Sequence, residues 1–139
     1  MQKIIIDTNV VISSLIGNSF PKQIVFDIIL PKKVQLVLSK DIFAEYIEVL
    51  HRGKFRKYPT FLQNAEILLS KLDEIAIYFS PTGKITVVTD DFDNRFLELG
   101  EISDANFLIT GNTNHFNFNS YKNLQIVTPQ EFVNTYFSS

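Results

Sequence analysis

Residues 3–6 read KIII, an apolar run with no polar alternation, and the next residue is Asp7. A strand with one face in water alternates apolar and polar side chains; an unbroken β-branched run fits a parallel strand covered on both faces. Similar short runs recur at Val34–Leu38, Ile85–Val88, Phe107–Ile109 and Leu124–Val127. Between them lie helical patterns. In SKDIFAEYIEVLHR the apolar residues Ile42, Tyr46, Val49 and Leu50 fall on one helical face, with Ser39 placed to cap it. FLQNAEILLSKLDEIA repeats the pattern with Phe61, Ala65, Leu68, Leu69 and Leu72, and DFDNRFLELGEIS is a third. TPQEFVNTYF closes the chain with Thr128 as N-cap and Pro129 at the first helical position. Strand and helix in alternation predict an α/β fold with a mainly parallel sheet and helices on both faces. Residues 1–139 read as one domain, with breaks at Gly17–Pro21, Pro31–Lys33, Gly53–Pro59 and Ser80–Gly83.

The run before Asp7 is far too short for a signal peptide or a spanning helix, so a soluble protein without membrane contact is expected. The absence of cysteine removes disulfides, thiolate metal sites and cysteine nucleophiles, and suits a cytoplasmic setting. A net charge of −2 gives no global field for nucleic acid. Any such contact rests on a local patch, and HRGKFRKY supplies one with Arg52, Lys54, Arg56 and Lys57, beside Phe55 and Tyr58 as stacking candidates. A solvated loop explains the same residues.

In open parallel sheets, ligands gather beyond the C-terminal strand ends, at the crevice where strand order reverses. Asp7 and Asn112 follow strands at that edge, Asp93 opens a helix facing it, and Glu45 lies about one turn into another. Clustered carboxylates repel unless a hard cation neutralises them, and an oxygen-only ligand set favours Mg²⁺ or Mn²⁺ over zinc. Each acid also has an ordinary reading: Asp7 caps the following helix, Asp93 complements a helix dipole, and Glu45 is a surface glutamate. His115 and His51 are too few for a histidine-based site.

IIIDTNVVISSL, LSKDIFAEYIEVLHRGKF, DDFDNRFLELGEISDANFLITGNTNHF and IVTPQEFV, in this order, resemble the motifs of the PIN-domain nucleases. The likeness is specifically to the bacterial, VapC-like branch that supplies the toxins of toxin–antitoxin pairs. The resemblance runs nearly end to end. It implies a three-layer α/β/α sandwich and an Mg²⁺- or Mn²⁺-dependent endoribonuclease acting on RNA. Its carboxylate quartet falls on Asp7, Glu45, Asp93 and the position of Asn112. Asp7 and Asp93 would be the main metal ligands, Glu45 would bind or orient water, and Thr8, Asn9 and Thr110 would support them. It also implies homodimers and a cognate antitoxin protein. One departure stands out. Relatives usually read Gly-Asp-x-Asp where this chain reads GNTNH, so Asn112 offers a carbonyl oxygen but no charge. Asp104, before the strand that leads to Asn112, should lie at the opposite edge, about 20 Å away. A PIN-like binding module with weakened or lost catalysis is therefore the second expectation. A receiver-like domain would need paired acids after the first strand and a lysine after the last, and has neither here.

Overall fold

The computed structural model describes residues 1–82, 91–116 and 118–137, without the side chains of Asp91, Phe92 and His115. Its centre is β1 (Lys3–Ile6), in which Ile4, Ile5 and Ile6 are wholly buried. β1 is flanked in parallel by β2 (Gln35–Leu38) and β4 (Phe107–Ile109). β3 (Ile77–Tyr78) extends the sheet parallel to β2, and β6 (Leu124–Val127) extends it parallel to β4. β5 (Ser120–Tyr121) forms an antiparallel edge, giving the order β3-β2-β1-β4-β6-β5. The sheet is thus mainly parallel and buried, as the unbroken apolar runs predict.

The helices follow the predicted periodicity. α1 (Thr8–Ile16) leaves β1 directly. α2 (Phe20–Gln23) carries Pro21 in its first turn and runs on as a wider π-turn through Ile24–Ile29, so the break read at Gly17–Pro21 ends in a helix start. α3 (Lys40–Leu50) is capped by Ser39, whose hydroxyl accepts the Ile42 N–H at 3.2 Å. α4 (Phe61–Ile75) buries the five apolar residues of its pattern. α5 (Asp91–Ser103) and α6 (Pro129–Glu131) follow, the latter closed by a reciprocal Thr128–Glu131 capping box. The predicted strand at Ile85–Val88 and Asp90 lie outside the described residues.

Connections from β1 to β2 and from β2 to β3 move one way across the sheet, and the return to β4 and β6 moves the other. Right-handed crossovers then put α1 to α4 on one face and α5 on the other, which makes three layers. α1, α3 and α4 pack together, while α5 lies against β2, β4 and β6. Phe116 is buried and Phe118 half-buried, joined edge-to-face, so this aromatic pair serves mainly the core. Among the described residues no helix is long and apolar enough to cross a membrane.

At Gly100 α5 packs tightly on β6: a Cβ there would stand 2.7 Å from Leu124 Cδ2. Leu124 is buried and has little room to yield. Gly100→Ala is therefore expected to cost about 1–3 kcal/mol in urea unfolding despite alanine's better helix propensity. In a Leu124→Ala background the same change should become neutral or stabilising. Equal costs in both backgrounds would mean the contact does not matter.

Candidate active site

The order of the sheet fixes where a site can form. After β1 the chain turns toward β2, and after β4 it turns toward β6, so the switch point is the crevice between the C-terminal ends of β1 and β4. Asp7 and Thr110 stand at those two ends. The Asp7 N–H continues the ladder to the Ile109 carbonyl at 2.9 Å. Asp7 occupies the N-cap position of α1, yet its side chain makes no capping hydrogen bond. Instead Oδ2 accepts the Thr110 hydroxyl at 2.7 Å. Thr110 is fully buried, and its hydroxyl oxygen also accepts the Asn112 N–H at 3.0 Å. One hydroxyl thus ties the carboxylate to the loop that follows β4. Asn9 adds a second tie, its Oδ1 accepting the Gly111 N–H at 3.3 Å.

Glu45 reaches the same crevice from α3. Thr8, buried at the start of α1, donates its hydroxyl to Glu45 Oε2 at 2.6 Å. Consecutive residues after β1 therefore carry one carboxylate and hold another. Burial is the first cause of a raised pKa at Glu45, and the nearby charge of Asp7 adds to it. The Thr8 hydrogen bond and the fields of Arg95 and Arg52 oppose the rise. Beneath both acids Tyr46, fully buried, donates its hydroxyl to the Ile6 carbonyl. Its hydroxyl pKa is raised well above the ordinary range, first by burial and then by the charges of Asp7 and Glu45. The sequence reading counted Tyr46 only as an apolar face residue and passed over Arg95. Tyr46 follows Glu45 and Ile6 precedes Asp7, so this one bond links the backbones that carry the two acids.

Asp93 is buried in the first turn of α5. The far end of that helix lies at the opposite edge, where the Ser103 carbonyl accepts from Lys3 Nζ at 3.2 Å. A helix of this length spans about 20 Å, which returns Asp93 to the C-terminal edge. Among the described residues, however, no three acids or histidines stand grouped as ligands of a single ion. Asp7 and Glu45 are the pair that comes together. Their fit to a hard cation rests on donor chemistry: two oxygen ligands that repel one another, at a partly buried edge. Mg²⁺ commonly binds through one or two carboxylates and keeps several waters. Asn112 is half-buried in the adjoining loop, with no side-chain hydrogen bond at its capping position. Asp104 sits at the entry to β4 in a left-handed conformation, accepting from Asn123 at 3.2 Å, and so belongs to the far edge.

The basic segment is partly engaged internally. Arg52 pairs with Glu48 at 2.8 Å, and His51 faces the Ile47 carbonyl and Glu66. Lys54 and Lys57 each lie 5.3 Å from the ring centre of the adjacent Phe55 and Tyr58. Phe55 is buried and stacked on Phe61 at 4.9 Å, which withdraws it as a base-stacking surface; Tyr58 remains half-exposed. Arg52 lies just past the end of α3, and its charge still acts on Glu45. Lys54, Arg56 and Lys57 lie farther still along the chain.

The PIN domain pattern matches residues 3–114 of the chain. A protein of Methanocaldococcus jannaschii, described as uncharacterized protein MJ1680, is 30% identical over 140 residues. That alignment covers 94% of this chain and 89% of the archaeal protein.

Two outcomes follow from the geometry. Folding holds the Glu45 proton more tightly than the unfolded chain does. This contribution is complete below the unfolded value of 4.5 and is lost as pH rises through the higher folded value. Glu45→Gln, measured without divalent cations, should raise the melting temperature at pH 7 and leave it little changed at pH 4; a lower value at pH 7 would contradict the assigned repulsion. Tyr46→Phe should cost about 1–2 kcal/mol in chemical denaturation through loss of a buried hydrogen bond.

Proposed function

The chain belongs to the PIN-domain family, whose members are generally nucleases, and on that premise we propose that it is a metal-dependent endoribonuclease. The observation that carries this reading is the pair Asp7 and Glu45, each held by a threonine hydroxyl at the switch point of the sheet. Asp7 and Glu45 would hold Mg²⁺ or Mn²⁺, with Asp93 contributing from α5. When bound, the ion supplies Lewis acidity toward water and charge neutralisation at the phosphodiester. Glu45 would also orient the attacking water, and its raised pKa, caused first by burial and then by the Asp7 charge, marks the crowding that a bound cation would relieve. Thr8 fixes which Glu45 oxygen is turned inward, and Thr110 keeps Asp7 aimed at the crevice. Asn9 and Thr110 together brace the loop bearing Asn112, whose amide oxygen provides a neutral fourth acceptor.

Arg52, Lys54, Arg56 and Lys57 are assigned to the RNA backbone, with Arg52 nearest the acids. The role of toxin in a cytoplasmic toxin–antitoxin pair rests on the motif resemblance. A second reading, a binding module with weakened catalysis, is favoured by one observation: the loop position that usually bears an acid is neutral Asn112.

Cleavage of a mixed RNA pool with Mn²⁺, Mg²⁺ or EDTA separates these readings. Wild type is expected to cut with Mn²⁺ and to stop in EDTA, while Asp7→Ala loses at least a hundredfold in rate. Asn112→Asp should cut faster than wild type. If only Asn112→Asp cuts, the binding module is the correct account. If no variant cuts, the nuclease assignment falls.

A further inference from the structure

A pocket of about 450 Å³ opens beside β6, lined by Thr113, Asn119, Ser120, Gln125, Glu131 and Tyr136 among others. Its chemistry differs from that of the acidic crevice. Among the described residues no lysine or arginine lines it, and its acid is engaged, since Glu131 Oε1 accepts the Thr128 N–H at 2.9 Å. The amides of Asn119 and Gln125 and the hydroxyls of Thr113 and Ser120 make no side-chain hydrogen bond among the described residues. Tyr136 is half-buried, its ring 5.0 Å from that of Phe107, and so is held in place. A wall of uncommitted amides beside a fixed aromatic ring, with a carboxylate nearby and no basic side chain, does not suit a phosphate. It suits a nucleobase, whose edge offers donors and acceptors to Asn or Gln and whose face packs on an aromatic ring.

Its position relates it to the acids. Val127, in the pocket wall, accepts the Thr110 N–H at 2.9 Å, and Thr110 in turn donates to Asp7. β1, β4 and β6 are neighbours, so two strand spacings, about 10 Å, separate Asp7 from Val127. We propose that this pocket receives an unpaired nucleobase of the RNA strand whose backbone lies at Asp7 and Glu45, and that Asn119 and Gln125 select which base. As a specificity device the pocket rests on the nuclease reading; as a binding site it stands apart from it.

The test therefore has two arms. Adenosine, cytidine, guanosine and uridine 5′-monophosphates and ribose 5-phosphate are each titrated into the protein by amide NMR. One nucleotide should shift the side-chain amides of Asn119 and Gln125, and ribose 5-phosphate should not. Asn119→Ala combined with Gln125→Ala, both exposed positions, should weaken that binding at least tenfold with an unchanged melting temperature. In the second arm, sequenced cleavage products should show a base preference at a fixed offset from the cut, flattened in the double variant with the total rate within threefold. Nucleotide binding without cleavage supports the pocket and sinks the nuclease reading. Cleavage with no nucleotide shift, or with equal shifts from ribose 5-phosphate, overturns the pocket and leaves the nuclease reading intact.

Discussion

The bond from Thr110 to Asp7 holds the crevice together. β1 must be dry on both faces to serve as the central strand, yet it ends in a carboxylate that loses hydration at the edge of that core. The desolvation is met by a hydroxyl from the neighbouring strand, itself fully buried and therefore fixed in direction. The same oxygen accepts the Asn112 N–H, so the loop after β4 is registered against the end of β1 by one side chain. A site assembled from residues more than a hundred positions apart thus acquires its geometry through sheet register.

Around that bond the structure tolerates electrostatic tension. Glu45 is brought close enough to Asp7 for their charges to oppose one another, while Arg95 and Arg52 act in the opposite sense. Tyr46 closes the arrangement from below, joining α3 to the last residue of β1. Burial of Glu45, with the Asp7 charge adding to it, is the strain on which the proposed cation site draws.

Much of this was legible beforehand. The runs at β1, β2, β4 and β6, the Ser39 and Thr128 caps and the span of α5 follow from periodicity and capping chemistry, which act over a few residues. The edge strands β3 and β5 were not legible. Each is two residues long, and Ile77 and Tyr78 are exposed, so neither carries an alternation to read. The π-turn after α2 was hidden for a related reason: Asn18, Ser19 and Pro21 read as a loop, although Pro21 favours the first helical turn. Phe55 misled in the opposite sense, since a phenylalanine among lysines reads as exposed until Phe61 from the next helix covers it.

By itself, the sequence determined the layered α/β architecture and the mainly parallel sheet, and it marked Asp7, Glu45 and Asp93 as candidates for its C-terminal edge. Hydrophobic period and helix capping are local, and the topology rule that sends ligands to that edge needs only strand order. Tertiary structure alone decided which acids meet. It paired Asp7 with Glu45, gave each its threonine, kept Asp104 at the far edge and set an amide-lined pocket two strands away. Those outcomes depend on strand register and helix packing, which join residues far apart in sequence and leave no periodic trace in it.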